Sequence, residues 1–529
     1  MSLVEAQNIT IFYPNNEKPV VKNISFSIDG GECLLLMGPT GSGKSTLLLT
    51  IAGAIPHHIP GRVEGSVTVA GKNALEVGMV GLVGDIGLLF QDPEIQIVMP
   101  IVFDEVAFPL ENLKIPREKI IKRAQEALDK TSLGSFKDYP TDILSTGQKQ
   151  KLALASIMAM DPKIYLLDEP TAHIDPKTAR EIYSELSQLK RNGAAIILVE
   201  HRIEYVLDLV DKILYIDNGQ GIMAQNMEEL IEKVGLEKLL DSGVWIPASY
   251  LPSLNTEPQS INPTVEDADP TVQAKSLQVQ LDGKIILHDI DFTAKKGETT
   301  VIIGPNGSGK TTLLKTIAGL IKPKNGQITV QGKKPSPTSV AYVTQIPDHQ
   351  FTERTVEEEI RSVVSNGSRR TSLDPEQALK RFGLEKLRDK VVYELSQGEK
   401  RLVSLLEMIL LDRPVYLLDE PTFGLDLKYS LLVLKNIEYL ANSGKTVILV
   451  THDSWLVTLL QSKIYGLSQG RIVFAGSLED LLLNRDIWQR INFDPPSFLK
   501  EAEDPAQLKE TLQDYRETLK QLARSDRQK

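Results

Sequence analysis

The sequence predicts an α/β protein that contains two copies of one unit, each organised around a mainly parallel sheet. Four short motifs recur in the same order in the two halves, which indicates a tandem duplication. Short, continuous apolar runs at 194–199 and 446–450 are each followed by polar residues, and such continuous runs are typical of strands buried on both faces. In the second half a glycine loop follows the β-branched run 299–303, and a helix is predicted over 312–320.

Length and composition agree with a multidomain globular protein. At 529 residues the chain is too long for one ordinary domain, and 41% hydrophobic and 24% charged residues are typical of folded proteins. The formal net charge of −11 argues against binding of nucleic acid by the surface as a whole. The single cysteine, Cys33, excludes an intrachain disulfide framework and a Cys-ligated metal cluster. Because no uncharged apolar run reaches about 18 residues, we expect a cytosolic protein or one that reaches a membrane only through partners.

The positions of the repeated motifs predict the domain organisation. We expect the first domain at 1–245 and the second at 272–490. Between them, residues 246–271 are acidic and contain five prolines, which predicts an extended, semi-rigid linker. Within the tail, 491–529, apolar residues recur from Leu508 to Leu522 at alternating spacings of four and three. This pattern predicts an amphipathic helix that caps the chain or pairs with another copy.

A glycine-rich loop of the pattern G-x-x-x-x-G-K-[ST] occurs once in each half. Its backbone N–H groups can converge on a phosphate, and the helix that follows adds its positive end. We expect Lys44 and Lys310 to reach the β- and γ-phosphates, and Ser45 and Thr311 to offer a hydroxyl to Mg²⁺. The residues predicted to hold the nucleotide are Gly38, Pro39, Thr40, Gly41, Ser42, Gly43, Lys44, Ser45 and Thr46 in the first half, and Gly304, Pro305, Asn306, Gly307, Ser308, Gly309, Lys310, Thr311 and Thr312 in the second.

Two adjacent acidic residues end an apolar strand in each half. Asp168 and Asp419 come first, and a carboxylate at such a strand end can hold Mg²⁺. The next residues, Glu169 and Glu420, can orient or deprotonate the water that attacks the γ-phosphorus. A solvated turn is the alternative interpretation of a lone Asp-Glu pair, but the two phosphate loops argue against it.

Two further polar residue types end predicted strands in both halves. His201 and His452 are expected to hydrogen-bond the γ-phosphate. Gln91 and Gln345 follow the predicted strands 88–90 and 340–344, where an amide can approach Mg²⁺ and the attacking water. Structural histidines and polar strand ends are the alternative interpretations.

A Ser-x-Gly-Gln/Glu pattern before a helix completes the repeated set. Its residues are Ser145, Gly147 and Gln148 in the first half, and Ser396, Gly398 and Glu399 in the second. Together the motifs resemble the nucleotide-binding domain of ABC ATPases over nearly all of the chain except the linker and the tail. The resemblance implies two tandem P-loop NTPase domains, each with an inserted helical subdomain that carries this signature.

The same resemblance implies that two ATP molecules, each with Mg²⁺, are sandwiched between the halves. The phosphate-loop residues of one half would share each nucleotide with the signature serine and glycine of the other half. Asp175 and Asp426 match the D-loop at that interface. Both halves keep the glutamate and the histidine, so both sites are expected to hydrolyse ATP.

The sequence departs from the family pattern at two places. Tyr13 resembles the aromatic residue that stacks on adenine, whereas the second half has Gln280-Leu281-Asp282 at that place. Thr146 and Gln397 stand where the family signature usually has glycine. These differences imply that the two sites need not bind the nucleotide equally tightly.

The run 90–96, followed by 103–108, resembles the ATPases of energy-coupling-factor importers, as does Ile55-Pro56-His57-His58. This resemblance is strongest to fused members associated with uptake of vitamin precursors or cobalt. It implies a peripheral protein on the cytoplasmic face of the cell membrane that hydrolyses ATP to drive uptake of a small nutrient. Helices of an integral T component would dock on the surface after each glutamine, and a separate S component would bind the substrate.

Two alternatives remain at this stage. One is the ATPase of a sugar importer, which is also tandem and of similar length. The other is a soluble ABC-F-type translation factor that binds ribosomes, but its inter-domain segment is usually helical and charged. The Pro-rich acidic segment here favours the importer, and the sequence leaves the nutrient and the oligomeric state open.

Overall fold

The computed structural model of the chain describes most of both predicted domains. The described residues are 2–14, 16–171, 174–201, 203–251, 270–344, 347, 350–366, 374–422, 424–460, 462–500 and 512. The chain divides into two compact units, Met1–Pro247 and Ala248–Lys529. Most of the predicted linker, and most of the tail with its apolar stripe, lies outside the described residues, so the bounds of these segments stay predictions.

The first unit contains a mainly parallel sheet, as the sequence predicts. Its strands are β1 (Ser2–Phe12), β2 (Val21–Asp29), β3 (Cys33–Met37), β4 (Arg62–Val69), β5 (Lys72–Asn73), β6 (Ile86–Leu89), β7 (Ile164–Asp168), β8 (Ala195–Val199), β9 (Lys212–Asp217) and β10 (Gln220–Ala224). The large sheet has the order β10-β9-β3-β8-β7-β6. Strands β9 to β6 in this order are parallel, and β10 pairs with β9 in the antiparallel sense. The parallel strands therefore bring the ends of β3, β7 and β8 to one edge of the sheet.

A second, antiparallel sheet in the first unit was not predicted from the sequence. It has the order β2-β1-β4-β5. Its inner face carries buried residues such as Val4 and Ile28, which form one hydrophobic core with Leu34 and Leu36 of β3 and with residues of the first helix. This core fixes the helix that follows the glycine loop against the parallel sheet.

The helices of the first unit form two groups. They are α1 (Lys44–Ile51), α2 (Ala74–Leu82), α3 (Val102–Asn112), α4 (Arg117–Lys130), α5 (Thr146–Met160), α6 (Pro176–Arg191), α7 (Met227–Val234) and α8 (Leu236–Asp241). Helices α3, α4 and α5 enclose a hydrophobic core of their own, which includes Val106, Ala124 and Leu152. These three helices correspond to the predicted helical signature subdomain.

The second unit repeats this architecture. Its strands are β11 (Pro270–Leu281), β12 (Lys284–Lys295), β13 (Thr299–Ile303), β14 (Asn325–Val330), β15 (Val340–Val343), β16 (Val415–Asp419), β17 (Thr446–Val450), β18 (Lys463–Ser468) and β19 (Arg471–Gly476). Strands β15-β16-β17-β13-β18-β19 form the large sheet, in which β19 is antiparallel to β18. Strands β12-β11-β14 form the smaller antiparallel sheet. The core between the two sheets includes Phe292, Ile302 and Leu313.

The helices of the second unit resemble those of the first, but no helix corresponding to α2 lies between β14 and β15, where every residue is described. They are α9 (Lys310–Ile317), α10 (Val356–Asn366), α11 (Pro375–Phe382), α12 (Gln397–Leu410), α13 (Leu427–Asn442), α14 (Ser454–Leu459), α15 (Leu478–Leu482), α16 (Arg485–Ile491) and α17 (Ser497–Lys500). Helix α9 begins two residues before the predicted 312, because Gly309 in the left-handed region (φ 102°) ends the loop directly before the lysine. Within the described ranges, no helix is both long and apolar enough to cross a membrane.

Candidate active sites

In the first unit, the glycine loop between β3 and α1 is shaped by close backbone contacts. A Cβ atom on Gly38 would lie 2.1 Å from the carbonyl oxygen of Ile216, and Gly43 has a φ of 102°. Lys44 Nζ donates hydrogen bonds of 2.9 Å to the carbonyl oxygens of Gly38 and Pro39. The lysine is therefore held across the mouth of the loop, where it can exchange these carbonyls for phosphate oxygens.

The second unit forms the same loop between β13 and α9. A Cβ atom on Gly304 would lie 2.0 Å from the carbonyl oxygen of Leu467. Lys310 Nζ donates to the carbonyls of Gly304 at 2.7 Å and Pro305 at 3.0 Å. In both loops a serine hydroxyl, of Ser42 or Ser308, is buried and has no hydrogen-bond partner among the described residues. Because a buried polar atom without a partner is costly, both hydroxyls suit a ligand oxygen.

Asp168 ends β7 beside the first glycine loop. Its side chain is buried, and Oδ1 has no hydrogen-bond partner in the described part of the chain. Burial and the neighbouring charge of Glu169 raise the pKa of Asp168 to about 6, although Ser45 and Lys44 act in the opposite direction. A buried, unpartnered carboxylate oxygen beside a serine hydroxyl fits Mg²⁺, which prefers oxygen ligands.

Asp419 holds the equivalent place at the end of β16 but has more partners. Thr311 Oγ1 donates to Oδ1 at 3.4 Å, and the hydroxyl of Tyr342 donates to Oδ2 at 3.1 Å. Burial raises the pKa of Asp419, while the hydrogen bonds from Thr311 and Tyr342 oppose this rise. The donor set of this site, a carboxylate and a threonine hydroxyl, also fits Mg²⁺.

Glu169 lies at the centre of a polar group in the first unit. Its backbone lies in the left-handed region (φ 49°). Gln91 Nε2 donates to Oε2 at 3.1 Å, and His201 Nε2 lies 3.1 Å from Oε1. Burial raises the pKa of Glu169, but His201, Lys44 and Gln91 together leave it below its ordinary value. Glu169 is therefore an ionised carboxylate that can accept a hydrogen bond or a proton from water.

The pKa of His201 shifts in the opposite direction to that of Glu169. Burial lowers the pKa of His201, but the charge and hydrogen bond of Glu169 outweigh burial and raise it. Gln91 and His201 thus both contact the glutamate. Their predicted contacts with the metal and the γ-phosphate would replace these hydrogen bonds.

The glutamate of the second unit shares its backbone conformation with the first but not its partners. Glu420 has a φ of 51°, and its Oε1 lies 3.4 Å from His452 Nε2. His452 Nε2 also lies 3.0 Å from Oδ1 of Asn306 in the glycine loop. The predicted residue Gln345 lies outside the described residues, so its role stays a prediction.

A buried carboxylate supports the histidine segment in each unit, and sequence analysis missed both. Glu200 in the first unit accepts hydrogen bonds from the hydroxyls of Thr171 at 2.9 Å and Tyr183 at 2.5 Å, and from His201 N–H at 2.8 Å. In the second unit the carboxylate follows the histidine, and Asp453 accepts a hydrogen bond from Thr422. The signal was the threonine two residues after each glutamate, which needs a buried acceptor.

The signature motifs lie at the start of α5 and α12. Ser145 caps α5: its Oγ accepts from Gln148 N–H at 3.3 Å, and Gln148 Oε1 accepts from Ser145 N–H at 2.9 Å. Ser396 and Glu399 form the same reciprocal cap on α12. Gly147 and Gly398 are buried. The adenine-stacking candidate, Tyr13, is half-buried, and its hydroxyl lies 3.1 Å from Oγ1 of Thr46 on α1.

Comparisons with known proteins find similar sequences over most of the chain. The family model described as "ABC transporter" matches residues 21–172 and 287–423. The putative HMP/thiamine import ATP-binding protein YkoD of Bacillus subtilis is 32% identical over 501 residues, which cover 90% of this chain and 91% of that protein. A putative ABC transporter ATP-binding protein of Sulfurisphaera tokodaii is 35% identical, with 89% and 98% coverage.

A solved structure shares the fold at lower sequence identity. It contains an archaeal ribosome recycling factor, aABCE1, in complex with the ribosomal stalk protein aP1. The TM-score is 0.63 at 21% identity, with 96% of this chain and 98% of that chain covered. At this identity the likeness shows the shared fold alone.

The Tyr183–Glu200 hydrogen bond yields a stability prediction. Tyr183→Phe removes a donor from a buried carboxylate, and a hydrogen bond to a charged group contributes about 1.5–3 kcal/mol. We expect the free energy of unfolding of the first unit to fall by that amount in urea titrations. Tyr139→Phe, which changes a tyrosine that is 48% exposed, is the matched control and should change it little. An unchanged unfolding midpoint for Tyr183→Phe would contradict the inferred role of Glu200.

The raised pKa of Asp168 yields a pH-dependence prediction. The folded state binds this proton more tightly than the unfolded state, so the contribution of the group to stability is greatest at low pH and is lost as pH rises through about 6. In protein free of nucleotide and metal, Asp168→Asn should therefore raise the free energy of unfolding at pH 7.5, by up to about 3 kcal/mol.

The gain should shrink as pH falls from 7.5 to 5, because the wild-type carboxyl then becomes protonated. Asp419→Asn is the matched variant and should gain less, since Thr311 and Tyr342 already stabilise that carboxylate. Unfolding titrations at several pH values measure both effects. A gain from Asp168→Asn that is independent of pH would show that burial does not raise this pKa.

Proposed function

The chain belongs to the ABC transporter family of ATPases and carries two ABC domains, and from this premise we propose that it energises a membrane importer for a small nutrient. The nutrient class is a vitamin, a vitamin precursor or a metal ion. The protein would lie peripherally on the cytoplasmic face of the cell membrane. An integral T component and a substrate-binding S component would be its partners.

We assign the hydrolytic chemistry to residues that meet at the ends of β3, β7 and β8, and to their counterparts in the second unit. Lys44 and Lys310 bind phosphate oxygens, and the loop N–H groups orient the nucleotide. Glu169 and Glu420 hold the attacking water and accept its proton. His201 and His452 hydrogen-bond the γ-phosphate, and His201 also opposes the rise in the pKa of Glu169 that burial would cause.

The metal assignment rests on the two strand-end carboxylates. Asp168 with Ser45, and Asp419 with Thr311, would hold Mg²⁺, and Gln91 and Gln345 would approach it. Bound there, Mg²⁺ neutralises charge on the β- and γ-phosphate oxygens. The buried, unpartnered Oδ1 of Asp168 supports this assignment.

We further propose that each nucleotide is completed by the signature of the other unit. Ser396 and Gly398 would cover the nucleotide bound at Lys44, and Ser145 and Gly147 would cover the one at Lys310. A capped helix start offers a hydroxyl, N–H groups and the positive end of the helix dipole, which together suit a γ-phosphate. Closure of the two units would then depend on ATP.

The observation that carries the importer proposal is an exposed apolar loop directly after Gln91. Ile95 and Val98 are 68% and 63% exposed. The loop is held against α3, because the buried carboxylate of Glu105 accepts hydrogen bonds from the N–H groups of Val98 at 2.9 Å and Met99 at 2.7 Å. A fixed loop that presents apolar side chains suits a cytoplasmic helix of a membrane partner.

The second unit fixes its corresponding loop in the same way. Glu359 on α10 accepts hydrogen bonds from the N–H groups of Thr352 and Glu353. The import function in the printed name of the Bacillus subtilis relative, which aligns over nine-tenths of this chain, also supports the proposal. A sugar importer and a soluble ribosome-associated ATPase are the rival functions, and the co-purification experiment below tests the second of them directly.

The proposed general bases can be tested by an isosteric change. Glu169→Gln with Glu420→Gln should keep ATP binding and lower turnover at least 100-fold, since general base catalysis contributes about 10²–10⁴-fold. Phosphate release and binding of labelled ATP are the measurements. Glu181→Gln, at an exposed position of α6, is the control and should retain full turnover. Substantial hydrolysis by the double variant would refute the assignment.

The importer proposal can be tested through the apolar loop. The wild-type protein should co-purify with integral T and S proteins from solubilised membranes, and Ile95→Asp with Val98→Asp should lose them because a charge cannot enter an apolar contact. Ile121→Asp, at a position of α4 that is 50% exposed, is the matched control and should keep them. Retained ATPase activity in all variants would show that they fold. Co-purification with ribosomes, or membrane partners that do not depend on the loop, would overturn the proposal.

A further inference from the structure

In the second unit, Asp419 at the end of β16 contacts Tyr342, a residue that has no role in the assignments above. Tyr342 lies on β15, opposite Leu417 in the parallel register with β16, and packs against the core beneath α9. Its hydroxyl donates to Oδ2 of Asp419 at 3.1 Å. Thr311 Oγ1 donates to Oδ1 of the same carboxylate at 3.4 Å. Both carboxylate oxygens of Asp419 are therefore held by the protein.

Within the described residues, the first unit has no hydrogen-bond donor at the corresponding position. Leu88 of β6 lies opposite Leu166 of β7 and so occupies the register position of Tyr342. A leucine cannot donate a hydrogen bond. Oδ1 of Asp168 is accordingly buried without a partner in the described part of this unit. The two carboxylates thus have the same place in the fold but different support.

The position of Thr311 indicates which oxygen of Asp419 faces the cation. Thr311 follows the loop lysine and is the proposed hydroxyl ligand, so the oxygen that it contacts, Oδ1, lies toward the metal position. Tyr342 binds the other oxygen, Oδ2, and therefore does not compete for the cation. A hydrogen bond on the far oxygen fixes the rotation of the carboxylate and stabilises its charge.

We propose that Tyr342 is a positioning residue that orients Asp419, and that the second site consequently holds a divalent cation more tightly than the first. The inference rests on the proposed assignment of Asp168 and Asp419 as magnesium carboxylates and does not depend on what the protein transports. Loss of a hydrogen-bond partner of a metal ligand typically weakens metal affinity by about 10–100-fold. Because Asp419 would keep Thr311, we expect the lower end of that range, about tenfold.

Mn²⁺ affinity measured by electron paramagnetic resonance tests the proposal without relying on turnover. The full-length protein is titrated with Mn²⁺ in the presence of a non-hydrolysable ATP analogue. Lys44→Ala should disable the first site, so that Mn²⁺ binding reports on the second site. Lys310→Ala should disable the second site, so that Mn²⁺ binding reports on the first. We expect tighter Mn²⁺ binding in the Lys44→Ala protein. Equal affinities, or a tighter first site, would overturn the inference.

The role of the phenol is tested in the Lys44→Ala background. Tyr342→Phe should weaken Mn²⁺ binding about tenfold, with little change in the affinity for the analogue measured without metal. Tyr342→Leu, which copies the first unit, provides a second variant if the phenylalanine does not fold. Tyr393→Phe, the same chemical change at a position of this unit that is 57% exposed, should have no effect. Unchanged or tighter Mn²⁺ binding in folded Tyr342 variants would overturn the proposal.

One more variant separates failure of the inference from failure of the assignment beneath it. Asp419→Asn in the Lys44→Ala background should abolish Mn²⁺ binding at the second site. If binding persists, Asp419 does not hold the cation, and both the assignment and the inference fail. If Asp419→Asn abolishes binding but the Tyr342 variants do not weaken it, only the inference fails.

Discussion

Two acidic residues stand side by side at the end of a buried strand in each unit, and the site depends on keeping their charges apart. Adjacent buried carboxylates repel each other, which contributes to the raised pKa of Asp168. The two side chains of each pair have different partners, and Glu169 and Glu420 both adopt left-handed φ values near 50°, a costly conformation for a residue with a Cβ atom. The aspartate then faces the glycine loop and the glutamate faces the histidine. Neighbouring positions thus present two carboxylates to different surroundings, which suits the metal role proposed for the aspartate and the water-activating role proposed for the glutamate.

Much of this arrangement could be predicted from the sequence, because motif spacing and strand ends carry the information. The parallel sheet, the loop lysines and the Asp-Glu pairs lie where continuous apolar runs meet polar residues. Other features depend on contacts between distant segments. Glu200 and Asp453 stand before and after their histidines, yet each accepts the hydroxyl of the corresponding threonine. No local pattern relates these two positions, and the antiparallel sheet, built from strands interrupted by bulges, was missed for a similar reason.

The two units agree in the residues proposed to touch the nucleotide but differ in the residues around them. Gln150 on α5 is fully buried, and neither atom of its amide has a partner among the described residues. The equivalent position on α12 is Arg401, whose guanidinium donates to the carbonyl of Thr344 at 2.7 Å, directly before Gln345. Burial lowers the pKa of Arg401 to about 10, and the charges of Glu420 and Asp419 oppose this effect. Arg401 therefore anchors the segment before the glutamine in the second unit, whereas the described residues of the first unit show no such cation, so duplicated motifs need not give equal sites.

The helical layer of the first unit is connected to the proposed nucleotide residues through the segment that carries Gln91. In the first unit, Gln91 at one end of this segment contacts Glu169, and Val98 and Met99 at the other end are held by Glu105 of α3. The carboxylate of Glu105 is buried, so releasing either N–H group would leave it short of a hydrogen bond at a cost of about 1–3 kcal/mol. A displacement of Gln91 by nucleotide is therefore expected to move the loop together with α3 rather than to break these bonds. Ile95 and Val98 lie in the same loop. A partner bound to them would therefore be connected to Glu169 through Gln91 and a short stretch of backbone.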